Sequence, residues 1–105
     1  FNGKSYKVNK MRRAAKVDRN QPEIVKALRA LGACVILTSQ LKNAFDILVI
    51  YRGKVYIVEI KDGTLPPSAR KLTEGELKCK AKVEAAGGKY HVINSIEEAI
   101  KLVSS

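Results

Sequence analysis

The stretch FDILVIYRGKVYIVEIK, Phe45 to Lys61, limits the possible folds more than any other part of the chain. It reads as two strands rich in Val, Ile and Tyr, joined by a two-residue turn at Arg52-Gly53. With that turn Tyr51 faces Lys54 and Ile50 faces Val55, and continuing backwards sets Asp46 opposite Glu59. Facing residues of antiparallel strands project to one side with Cβ atoms roughly 4.5–5.5 Å apart. Lys61, two residues after Glu59, projects from that same side. The other positions are Val, Ile, Leu and Tyr on both faces, the pattern of strands covered on both sides. Two carboxylates opposed at the end of such a sheet repel, and loss of water strengthens the repulsion. Lys61 can neutralise part of this charge. A divalent cation such as Mg²⁺, which takes hard carboxylate oxygens, does so more completely. The plainer alternative has Asp46 closing its loop in an Asx turn, with Glu59 paired to Lys61 at a solvated strand end.

Around the hairpin the chain reads as α-β-β-β-α-β-α. Asn20 with Glu23 three residues on has the form of a capping box, and Pro22 suits a first turn. Ile24, Ala27, Leu28 and Leu31 share one helical face, and Gly32 closes the helix. ACVILTS is a short strand, and DGTLPPSARK is a polar loop too long for a simple turn. LTEGELKCKAKVEAAGG reads as a second helix, KYHVIN as a strand, and SIEEAIKLV as a helix opened by Ser95 with Glu98 as its capping partner. Glu76 lies on the apolar stripe of the second helix, yet Thr73-x-x-Glu76 is also a capping box, so it serves either a site or a cap. His91, the only histidine, has no partner at ligand spacing and reads as a partly buried strand residue. Cys34 and Cys79 have neither metal-ligand spacing nor a CxxC partner, and they read as small buried hydrophobes in a reducing compartment.

Composition then narrows the partners. The chain's 105 residues suit a single domain, and 46% hydrophobic content suits a folded one. Net charge is +10, which favours a polyanionic partner such as nucleic acid over an anionic membrane surface. No run approaches the roughly 18 apolar residues of a membrane span, and no signal-peptide pattern is visible. Residues 1–16 carry Lys4, Lys7, Lys10, Arg12, Arg13 and Lys16 without an acid, a solvated tail or an arm for phosphates. The expected division is therefore a basic arm over residues 1–16 and a folded domain over 17–105. Arg70, Lys71, Lys78, Lys80 and Lys82 form a second basic group after the hairpin, either a solvated helix face or further phosphate contacts.

Asp46, its strand and Val58-Glu59-Ile60-Lys61 resemble the D…(D/E)-x-K signature of the PD-(D/E)XK nucleases. The ordered set of NQPEI (Asn20 to Ile24), the FD strand, VEIK, Lys71-Leu72-Thr73 and the final SIEEAIKLV resembles the small VRR-NUC branch. That branch includes stand-alone phage and bacterial proteins. The likeness covers about residues 16 to 104. It implies a restriction-endonuclease-like α/β core, a mixed central sheet flanked by helices, in a metal-dependent phosphodiesterase. By matching position Asp46, Glu59 and the main-chain carbonyl of Ile60 would hold Mg²⁺, with Mn²⁺ able to substitute. Lys61 would orient the attacking water, and Glu23 would be a metal-linked carboxylate. Arg12, Arg13, Lys16, Arg70, Lys71 and Lys78 would contact nucleic acid. The resemblance further implies branched or flapped DNA as substrate, Holliday-junction resolution by a homodimer, no small-molecule cofactor, and a cytoplasmic setting in a bacterium or phage-infected host. A non-catalytic nucleic-acid-binding module on the same fold is the alternative. Relatives usually carry Gly and Pro before the aspartate, where this chain has Asn43-Ala44-Phe45.

Overall fold

The computed structural model describes residues 17–105; the basic arm, with Arg12, Arg13 and Lys16, lies outside the described residues. Among the described residues three helices and four strands follow one another as α1 (Gln21–Ala30), β1 (Cys34–Leu37), β2 (Ile47–Tyr51), β3 (Lys54–Ile60), α2 (Glu74–Ala85), β4 (Tyr90–Ile93) and α3 (Ile96–Ser104). A 3₁₀ turn, Pro67–Ala69, shapes the long loop between β3 and α2. The strands form one mixed sheet in the order β1-β2-β3-β4. The first two pairings are antiparallel, and β3 pairs β4 in parallel through the α2 crossover. No helix among the described residues is long and apolar enough to cross a membrane.

The hairpin takes the expected register, from Tyr51↔Lys54 back to Ile47↔Val58. Arg52 and Gly53 both have positive φ, 52° and 80°, as a two-residue turn matching the strands' twist requires. One sheet face is sealed. Val35, Ile47, Val49, Tyr56, Val58, Ile60 and Ile93 meet Ile24, Val25 and Leu28 of α1 and Ala99 and Val103 of α3 in a single apolar cluster. Ile47 is fully buried there. Its truncation to alanine is expected to cost about 3–4 kcal/mol in denaturant unfolding, in the usual range for a buried branched chain.

The other face departs from expectation. Ile36 is 46% exposed and Val55 is 62% exposed, so hydrophobic residues on both sides of these strands did not mean burial on both sides. The helix on this face, α2, buries none of its residues. Both cysteines are free, and Cys34 lies exposed on this face while Cys79 is half-buried, which corrects their reading as buried hydrophobes. His91 stays a half-buried strand residue with its ring 5.8 Å from that of Tyr56. Burial first, and then neighbouring Lys89, holds its pKa below the ordinary histidine value.

Candidate active site

The site forms where β2 begins and β3 ends. Asp46 precedes the last facing pair, and its backbone is held from both sides: its N–H donates to Val58 O at 3.1 Å, and its carbonyl accepts from Thr38 N at 2.8 Å. The ladder does not extend to a direct Asp46–Glu59 pair, since facing register stops at Ile47↔Val58. Instead the Asp46 side chain turns onto β3, where Oδ2 accepts the Ile60 N–H at 2.8 Å. This replaces the main-chain bond that a continued ladder would have used, and it still brings the two acids together. Glu59, whose residue is 3% exposed, lies within carboxyl-to-carboxyl hydrogen-bonding reach of both Asp46 and Glu76.

Lys61 Nζ closes the group, 2.8 Å from Glu76 Oε1 and 3.5 Å from Glu59 Oε2. Glu76 meets Lys61 and also serves as the capping residue its sequence position allowed. Its Oε1 accepts the Thr73 N–H at 2.9 Å to complete the cap of α2, and it accepts from Lys61 as well. The start of α2 lies against the loop that leads to Asp46, because Gly75 has no side chain to collide with that of Asn43. Asn43 in turn has φ 54°, a left-handed conformation that asparagine tolerates better than most residues. Asn43 thus supplies the turn ahead of Asp46.

Three acids against one lysine leave a surplus of negative charge. Burial, then the hydrogen bond to Glu76 and the charge of Asp46, push the Glu59 carboxyl up to about 9. Asp46 is also raised, chiefly by burial, with Asp18 and Glu76 adding to the rise against the Ile60 N–H. Glu76 is lowered despite its burial, because Lys61 and the other donors favour its charged form. For Lys61 burial pulls downward, but Glu76 and Glu59 outweigh it and the net shift is upward. Glu59 is thus the member of the group that favours its protonated form at neutral pH.

Sequence reasoning placed Glu23 at this site, and the structure does not bring it among the groups acting on Asp46 or Glu59. Residues two apart on a helix point roughly 200° away from each other, and on α1 it is Gln21 that turns inward, 4% exposed, while Glu23 faces out. Gln21 Nε2 donates to Ser39 Oγ at 3.1 Å, and Ser39 Oγ lies 3.4 Å from Asp46 Oδ1. Glu23 instead lines a neighbouring cleft of about 490 Å³ with Asn20, Asp62, Thr64, Arg70 and Asn94. The expected Asn20 cap is also absent. The Asn20 side-chain amide donates to Lys61 O and Asn94 O, both at 3.0 Å, tying α1 to the ends of β3 and β4. The alternation of α1 could have favoured Gln21 over Glu23. Nothing local marks Asp18 or Ser39.

Of the basic residues, Lys78 and Lys80 pair with Glu74 and Glu84 on the surface of α2, and Lys71 is exposed. Arg70 is half-buried beside the cleft, and its Nε is buried without a protein partner.

Among the described residues no three His, Cys, Asp or Glu side chains form a ready-made cage for an ion. The oxygen donors of Asp46 and Glu59 nevertheless suit a hard cation that keeps several waters and takes one or two carboxylates. Two observations agree with such an occupant: Glu59, which burial and then its acidic neighbours push up to about 9, and Gln21 Oε1, a buried acceptor with no protein donor.

A solved structure described as a "VRR_NUC domain" superposes on this chain with a TM-score of 0.61 at 27% sequence identity, covering 82% of this chain and 91% of that one. No family model matches the sequence, and no curated protein does.

Proposed function

We propose, from the premise that the chain has a VRR-NUC-like nuclease fold, that it is a metal-dependent DNA endonuclease. The observation that carries this reading is the meeting of Asp46, Glu59 and Lys61 at one sheet end, with more acid than the lysine can balance. Asp46, Glu59 and the main-chain carbonyl of Ile60 would hold Mg²⁺, or Mn²⁺ in its place, which would lower the pKa of a bound water and offset charge on the phosphate. Lys61 has the reach to leave Glu76 for a phosphate oxygen or the attacking water, and its raised pKa keeps it a donor at neutral pH. Glu76 returns the lysine to place, and Gln21 with Ser39 steadies Asp46.

Affinity would come from lysine and arginine contacts to phosphates, which read no sequence. Of the basic group after the hairpin, Lys78 and Lys80 are paired with Glu74 and Glu84, whereas Arg70, Lys71 and Lys82 form no salt bridge among the described residues. A domain of this size has little surface for reading bases, so selection by DNA shape, such as a branch or flap, is the narrower proposal. Two copies on a two-fold axis would then suit a junction with two equivalent strands.

The test is cleavage of junction, flap and plain duplex substrates with and without Mg²⁺. Wild type is expected to cut only with the metal, and Asp46→Ala to lose at least 10³-fold in rate while retaining DNA affinity within about threefold. Equal binding by both proteins with no cutting in Mg²⁺ or Mn²⁺ would leave a binding module in place of an enzyme.

A further inference from the structure

We propose that Tyr90 is a positioning residue for Glu59, and that its hydroxyl sets the gap between the two acids. The proposal rests on the nuclease reading above. Tyr90 opens β4 and pairs with Ile57, while Val92 pairs with Glu59, so the parallel register brings the Tyr90 side chain onto the Glu59 side of the sheet. It is 6% exposed. Its hydroxyl lies 3.2 Å from the carbonyl of Ala44 and 3.4 Å from Glu59 Oε1.

Those two contacts join three separate segments. Ala44 lies two residues before Asp46, so the hydroxyl fixes the approach to one acid and touches the other. On Glu59 the two oxygens are met from different directions, Oε1 by Tyr90 and Oε2 by Lys61. A carboxyl group engaged at both oxygens cannot rotate about its last bond without giving up a contact, and outer hydrogen bonds of this kind orient metal-binding carboxylates. The phenol has one proton and two acceptors in reach.

The test is Tyr90→Phe in the full chain, with Tyr56→Phe as the control that removes the hydroxyl of a largely buried tyrosine on the sealed face. Mn²⁺ binding is read by calorimetry on DNA-free protein, beside melting temperature and cleavage rate. The expected result is Mn²⁺ affinity 10- to 100-fold weaker in Tyr90→Phe, unchanged in Tyr56→Phe, with cleavage by Tyr90→Phe partly restored at high Mn²⁺. A melting temperature within a few degrees of wild type places the loss in the site rather than the fold. Wild-type affinity in Tyr90→Phe overturns the assignment of Tyr90 alone. A wild type that neither binds Mn²⁺ nor cuts overturns the nuclease reading and this proposal with it.

Discussion

Metal-free Glu59→Gln protein is expected to melt at least about 5 °C above wild type at pH 8, and to have lost DNA cleavage. In the folded chain Glu59 keeps its proton up to about pH 9, whereas the ordinary glutamate value is 4.5. Between those values the folded state binds more protons than the unfolded state, so stability falls as pH rises through the window. Below about pH 4 both states are protonated and the difference disappears. Glutamine mimics the protonated acid, since its amide has one N–H for Asp46 and one for Glu76, the groups that share hydrogen bonds with Glu59. The substitution should therefore remove about 2–4 kcal/mol of pH-dependent destabilisation between pH 5 and 8, given 1.36 kcal/mol per pKa unit and allowing for coupling to its neighbours. Melting curves at several pH values check this. A wild type whose stability is flat from pH 5 to 8, or a glutamine variant that melts lower, would mean that Glu59 is an ionised structural partner.

Lys61→Met should move stability in the opposite direction. Lys61 is the one cation within salt-bridge distance of Glu59 and Glu76 among the described residues, and its side chain is only 12% exposed. Methionine fills much the same space, so the change removes charge with little loss of packing. With Glu59 protonated, the group left stranded is Glu76, whose side chain is 19% exposed and keeps only the Thr73 N–H and the Glu59 proton. Breaking a largely buried pair from one side typically costs 3–5 kcal/mol, and the partial exposure of Glu76 brings the expectation to about 2–3 kcal/mol. Denaturant unfolding at pH 7 should give a lower midpoint with an unchanged slope. Cleavage should fall to background. A loss under about 0.5 kcal/mol would mean that solvent already screens the pair.

The hairpin was legible from its letters because a two-residue turn and a period of two fix every facing pair from a single point. That logic ended one residue early. Past Ile47 the Ile60 N–H finds the Asp46 side chain in place of a main-chain carbonyl, a choice made by loop geometry that no alternation encodes. Glu76 was left open between cap and site, and the structure shows that one oxygen can do both. Glu23 was placed by motif position, whereas helical phase turns Gln21 inward and leaves Glu23 facing the neighbouring cleft. Tyr90 gave no signal because its role depends on parallel pairing across a crossover, a contact between segments 31 residues apart. The half-open sheet face misled for a different reason. Branched residues favour strands whether or not anything covers them, so Val55 and Ile36 reported the strand and not its burial.

Glu76 Oε1 receives the Thr73 amide and the lysine together. Were Lys61 to turn toward another anion, that oxygen would lose its cation but keep the helix amide, so the cap of α2 would stay closed. The start of the helix is thus fastened independently of the lysine, and the two contacts can be broken one at a time.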